Sequence, residues 1–153
     1  MTAIANVPDS SETARKAIMA AVSRATIAEL AGLDALAGDA VRVLRAPEIG
    51  LVMVRGRVGG DGAPFNLGEA TVTRAAVALP DGTIGFGHVL GRDKDKARLA
   101  ALADALWQAP ATRDAVEALL RPVRDRIAAE ATVKRERAAA TRVDFFTMVR
   151  GDN

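Results

Sequence analysis

The sequence predicts an α+β fold, with an antiparallel β-sheet of three to four strands in the middle of the chain, packed with an N-terminal helix and C-terminal helices. Three observations carry this expectation. Apolar residues recur at helical spacing toward both ends of the chain, and Val-rich runs bounded by Gly and Pro occupy the middle. The order is also helix, then strands, then helices, rather than an alternation that would build a parallel sheet. The length of 153 residues fits one domain over residues 1–153, with a loose N-terminus over residues 1–10 and an apolar C-terminal tail over residues 141–153.

Asp9 and Glu12 resemble a capping pair, and Ile18, Ala21, Val22, Ala25 and Ala28 fall on one helical face, so the first helix is expected from about Ser11 to Ala31. Gly32 and Gly38 bracket a break, with a short turn over Leu33 to Ala37. Val41 to Ala46 and Leu51 to Val58 read as two strands joined tightly through Pro47 to Gly50. Gly59 to Pro64 is a loop, Glu69 to Leu79 a third strand, and Thr83 to Leu90 a fourth. Between these last two, Pro80-Asp81-Gly82 is the clearest turn, because Pro presets φ and Gly supplies a positive φ. Leu99, Leu102, Ala103 and Leu106 then mark a helix that Pro110 ends. Thr112 is placed to cap the next helix, whose stripe is Val116, Leu119, Leu120, Val123 and Ile127, with a break or kink expected at Pro122.

Composition makes the interior unusual. There are 33 alanines, four Phe, one Trp and no Tyr. Alanine favours helices and lets them approach closely, but each buries little area at about 25 cal/mol per Å². A core of this kind is expected to be completed against a partner. Absence of cysteine excludes disulfides, thiolate metal sites and cysteine nucleophiles. Neither a secretory signal pattern nor an apolar run of roughly 18 residues is present, so a soluble cytoplasmic protein is expected. The net charge of +2 suits anionic ligands or an acidic partner, and equally a protein that binds neither.

The reactive inventory is poor. His88 is the only histidine; alternation places it with Ile84, Phe86 and Leu90, and a lone histidine on an apolar face is expected to be structural rather than a ligand. A histidine metal site within the chain is thereby excluded, and no metal or cofactor is expected. Ser10, Ser11 and Ser23 lie in or before the first helix, outside any nucleophile-elbow context. Gly85, Gly87 and Gly91 miss the dinucleotide fingerprint by one position, and Gly59 to Gly62 lacks the Lys-Ser/Thr ending of a phosphate loop, so both are read as turns. Glu69, Thr71 and Thr73 share one strand face and Arg74 points to the other; a solvated strand face explains them as well as a site does. Arg92 and Lys94 could hold an anion ahead of a helix N-terminus, and a capping loop using Asp93 or Asp95 explains the same residues. The tail from Val143 to Arg150 is apolar and aromatic, and is expected to be buried on the chain's own sheet or on a partner.

Arg45-Ala46-Pro47-Glu48-Ile49-Gly50-Leu51, Gly68 to Ala75, Leu90-Gly91-Arg92-Asp93-Lys94 and the tail Arg142 to Gly151 resemble the PhnG subunits of the bacterial carbon–phosphorus lyase core complex. The likeness covers most of the chain and is tightest in the hairpin and the tail. It implies a role in phosphonate catabolism, as a subunit of alpha-D-ribose 1-methylphosphonate 5-triphosphate synthase. In that family PhnG acts with PhnH, PhnI and PhnL to displace adenine from ATP by a phosphonate; the nucleosidase chemistry belongs to PhnI and radical cleavage to PhnJ. No catalytic residue carries over to this chain, and no iron–sulfur site is expected without cysteine ligands. The apolar tail and the alanine-rich core point to a structural role, in which sheet, tail and helices complete the surface of a PhnI-like subunit, with partner contacts expected through Asp144, Phe145, Phe146, Met148 and Arg150, and with self-association possible when the chain is alone. Two other readings stand beside it. Glu69, Arg74, Arg92 and Lys94 could contribute anion-binding groups to a shared active site. The basic stretch 121–142 could track nucleic-acid phosphates, against which stand its mixed charge and the few aromatics.

Overall fold

The computed structural model describes residues 10–141. Along them run α1 (Ser10–Arg24), α2 (Ile27–Leu30), α3 (Gly32–Ala37), β1 (Arg42–Arg57), β2 (Pro64–Ala78), β3 (Ile84–Leu90), α4 (Lys94–Gln108) and α5 (Pro110–Ala140). The sheet is antiparallel in the order β1-β2-β3, so the fold is α+β as the sequence predicts, with three strands.

The helical face read from the sequence is the one that α1 buries: Ile18, Ala21, Val22 and Ala25 are buried, while Ala28 is exposed. The helix does not continue to Ala31. It stops at Arg24, and Thr26 starts a new one through a capping box in which the Glu29 N–H donates to Thr26 Oγ1 (3.2 Å) and the Thr26 N–H to Glu29 Oε2 (2.8 Å). Asp9 lies outside the described residues.

The two strands expected at Val41–Ala46 and Leu51–Val58 are one strand. Pro47 to Gly50 makes no turn; instead the register shifts between Val43 and Arg45 and again between Arg45 and Glu48. Each shift inserts one extra β1 residue against β2, and an edge strand tolerates proline at such bulges because its missing N–H faces no neighbour. The partner β2 starts at Pro64, five residues before the expected Glu69. Pro80-Asp81-Gly82 turns as read: the Gly82 N–H donates to the Leu79 carbonyl (3.0 Å), Gly82 has φ of 88°, and Asp81 accepts from the Thr83 N–H.

Helix α4 is the centre of the molecule, buried on all sides from Leu99 to Trp107, with the sheet on one side and α1, α3 and α5 on others. Its contact with β3 explains Gly85 and Gly87, which are not turn residues. A Cβ at Gly85 would overlap the Ala101 carbonyl and the Ala105 N–H; one at Gly87 would overlap the Ala97 carbonyl and lie 2.6 Å from the Ala101 nitrogen. Glycine on the strand facing Ala97, Ala101 and Ala105 at i, i+4 and i+8 lets backbone pack on backbone. The alanine-rich core is thus closed by close approach rather than by bulk. Helix α5 begins with Pro110 at its first turn and runs through Pro122 without breaking. Val116, Leu120 and Val123 are buried, but everything from Ala128 to Ala140 is exposed, so its last three turns stand clear of the rest. Thr112 donates its hydroxyl to the Leu106 carbonyl (2.6 Å) instead of capping α5.

Candidate partner-binding face

Strand β3 alternates without exception: Gly85, Gly87 and Val89 are buried under α4, while Ile84, Phe86, His88 and Leu90 are exposed on the opposite face. The sequence grouped these four residues correctly, but they form the uncovered face. His88 is therefore not a buried structural histidine; it is exposed and makes no hydrogen bond among the described residues. The reason is the one that placed the glycines: the helix settles on the face where β3 has no side chains in the way.

Antiparallel register arranges the outer face in rows, since directly opposed residues point to the same side. His88, Arg74 and Glu48 form one row across the three strands. Arg74 Nε donates to Glu48 Oε1 (2.7 Å), and Arg45 Nη1 donates to the same oxygen (2.8 Å). The two arginines, Arg74 foremost, hold the Glu48 carboxyl below the usual carboxylate range. Apolar rows flank this polar island: Phe86 with Ala76 on one side, Leu90 with Val72 on the other. Phe86 is 54% exposed and Leu90 79%.

Beyond Val72, β2 has no β3 partner, and β1 and β2 continue as a two-stranded arm through Arg57 and Pro64. The arm is apolar on both faces and both are exposed; Leu51, Met53, Val58, Phe65 and Leu67 belong to it, with Leu67 67% exposed. A contiguous patch this apolar exceeds scattered surface residues and is a candidate interaction surface.

The sequence-derived site residues do not converge. Glu69 is exposed on the arm opposite Met53, and Arg74 lies on the other face of β2, tied to Glu48. The Glu69-Thr71-Thr73 face is only partly solvated: Thr73 is fully buried beneath α4 and donates to the Gly91 carbonyl (2.8 Å), Thr71 is half-buried and only Glu69 is open. Arg92 and Lys94 are exposed and make no ion pair among the described residues. Between them Asp93 is the N-cap of α4, accepting from the Lys96 N–H (2.9 Å), so the capping reading of this loop holds. Asp144, Phe145, Phe146, Met148 and Arg150 lie outside the described residues.

Asp104 is a structural residue that the fold reveals. It is 2% exposed on α4, accepts Arg15 Nε (2.7 Å) and Nη2 (2.6 Å) from α1, and accepts the Phe86 N–H (2.9 Å) from the outer edge of β3. The available signal was an Asp inside the apolar stripe Leu102, Ala103, Ala105 and Leu106. A groove of about 260 Å³ runs beside this pair, lined by Arg15, Met19, Phe86, His88 and Asp104. Arg15 is committed to Asp104, which leaves His88 as the one ionisable side chain in the groove with no hydrogen bond or ion pair among the described residues.

A family model described as phosphonate metabolism protein PhnG matches residues 13–151. A curated relative from Rhizobium meliloti (strain 1021), the alpha-D-ribose 1-methylphosphonate 5-triphosphate synthase subunit PhnG, is 52% identical over 159 aligned positions, which take in 100% of this chain and 99% of the relative. With the match running from within α1 into the tail, this chain belongs to the PhnG family of phosphonate metabolism proteins.

Proposed function

We propose that this chain is the PhnG subunit of an alpha-D-ribose 1-methylphosphonate 5-triphosphate synthase, the activity named for its Rhizobium meliloti relative, and that it serves the assembly as a structural subunit. In this reading it acts in the cytoplasm with PhnH-, PhnI- and PhnL-like proteins in displacing adenine from ATP by a phosphonate, within a core complex that also holds a PhnJ-like subunit. The observation that carries the reading is the exposed apolar outer face and arm, joined to a set of reactive groups too sparse for catalysis. No helix among the described residues is long and apolar enough to cross a membrane, and an exposed apolar patch of this kind suits a partner protein. Co-expression with the other subunits followed by size-exclusion chromatography tests it: the chain is expected in a large complex, and elution as a lone monomer at micromolar concentration with all partners present rejects the reading.

A second reading gives the chain direct contact with substrate. Arg92 and Lys94 are cationic, exposed and unengaged among the described residues, and Glu69 and Arg74 stand on the neighbouring strand. Alanine at each position in the assembled complex separates the two. Loss of turnover with assembly intact supports anion-binding groups; loss of assembly supports the structural role.

A further inference from the structure

The two edges of the sheet are treated differently. On β3 part of the outward edge is taken up by α4: the Phe86 N–H donates to Asp104 and the Ile84 carbonyl accepts Gln108 Nε2 (2.9 Å). On β1 nothing among the described residues covers the edge. The Gly91 N–H donates to the Thr71 carbonyl, so Thr71 directs its backbone groups toward β3 and away from β1. Because backbone direction alternates along an antiparallel pair, the β1 residues opposite Thr73, Thr71 and Glu69 direct theirs out of the sheet. These are Ile49, Leu51 and Met53. Their N–H and C=O groups have no partner among the described residues.

Open and apolar, and free of proline from Glu48 to Arg57, this part of the edge is a template for another strand, which native proteins normally block. Charge decides what fits it. Strand β1 carries Arg42, Arg45, Arg55 and Arg57 against the single acid Glu48, which Arg45 and Arg74 already occupy. A second copy of β1 would set arginines against arginines, and like charges across strands destabilise. We infer that β1 is a strand-docking edge for a different polypeptide: an extended segment with an apolar centre, opposite Ile49 to Val54, flanked by carboxylates that meet Arg42 and Arg45 at one end and Arg55 and Arg57 at the other. Main-chain bonds supply affinity and the flanking charges set the register. The segment belongs to another subunit of the assembly proposed above, and the inference rests on that reading.

Amide hydrogen exchange on the isolated chain and on the assembled complex tests it. The amides of Ile49, Leu51 and Met53 exchange freely in the isolated chain and are expected to slow by roughly a hundredfold or more in the complex. Leu51→Pro removes an outward N–H and is expected to leave the isolated chain's melting temperature essentially unchanged while weakening assembly roughly tenfold. Val52→Pro removes a bond to β2 and is expected to lower the melting temperature instead. Arg55→Glu with Arg57→Glu is expected to weaken assembly as well. If the chain co-purifies in the complex while these three amides stay fast, the edge is not the docking site, although the subunit reading survives. If the chain never enters a complex, the subunit reading itself fails. A dimer of the isolated chain with the same amides protected puts a second copy on the edge and overturns the inference.

Discussion

Asp104 joins three elements through one buried carboxylate, tying α1, α4 and the edge of β3. Its two oxygens are saturated by a bidentate guanidinium and a backbone N–H, the condition under which a buried charge is tolerated. Removing Arg15, itself 39% exposed at the side chain, leaves that carboxylate buried and unpaired. Arg15→Ala is expected to cost about 3 kcal/mol of stability, measured by urea denaturation. Arg15→Lys should recover part of this, since lysine restores the charge without the fork. Gly87 is as constrained for a different reason. The added methyl of Gly87→Ala meets the backbone of α4 at Ala97 and Ala101, so β3 and α4 must separate. A loss of at least about 2–3 kcal/mol is expected, where a solvent-facing glycine of a strand would gain from the same change.

At the scale of elements, α5 and β1 each carry a local feature that propensity opposes and position permits. Pro122 lies exposed in the middle of the 31-residue α5, where proline removes one helical hydrogen bond and crowds the carbonyl one turn before it. The helix persists because Val116, Leu120 and Val123 bury on both sides of that point. Pro122→Ala is therefore expected to stabilise the chain by about 1–3 kcal/mol, seen as a higher melting temperature. Pro47 is carried by the bulged half of β1, on the sheet's outer edge. The other half, with its β2 partner, forms the apolar arm. Replacing Leu67 and Val58 by Ser should change the isolated chain's stability by less than about 0.5 kcal/mol each, because both are exposed, while reducing its aggregation.

For the molecule as a whole, the helical layer is tied by surface ion pairs whose carboxylates are held below their ordinary range. Arg126 of α5 grips Glu29 of α2 through Nε (2.9 Å) and Nη2 (3.0 Å), and with the Thr26 N–H it holds the Glu29 carboxyl down at about 2. Asp34 beside Arg98 is also lowered, as is Glu48 beside Arg74. A carboxyl depressed in the folded state stabilises fully above its unfolded value, near pH 4–4.5, and loses that contribution as pH falls through the folded value. Stability should fall from pH 5 toward pH 2.5, and the difference between the wild-type chain and Glu29→Gln should shrink over the same range. Denaturant midpoints at several pH values check this; a gap independent of pH would contradict it.

What the amino-acid order determined alone was much of what is set within a few residues: the helical stripes of α1, α4 and α5, the Pro80-Asp81-Gly82 turn, and the grouping of Ile84, Phe86, His88 and Leu90; along the whole chain it also carried the resemblance to PhnG subunits. Such features rest on periodicity and turn chemistry, which are local. Tertiary structure decided which side of the sheet was covered, since that depended on α4 meeting Gly85 and Gly87 from ten or more residues away. It also merged two expected strands into β1, because only pairing with β2 reveals a bulge. Glu48 was legible as part of a motif, but its bond to Arg74 required the register between strands, and Asp104 required three elements to converge. Contacts between distant segments are set by packing that no single stretch encodes, and for that reason the open edge and the exposed apolar arm came into view only with the fold.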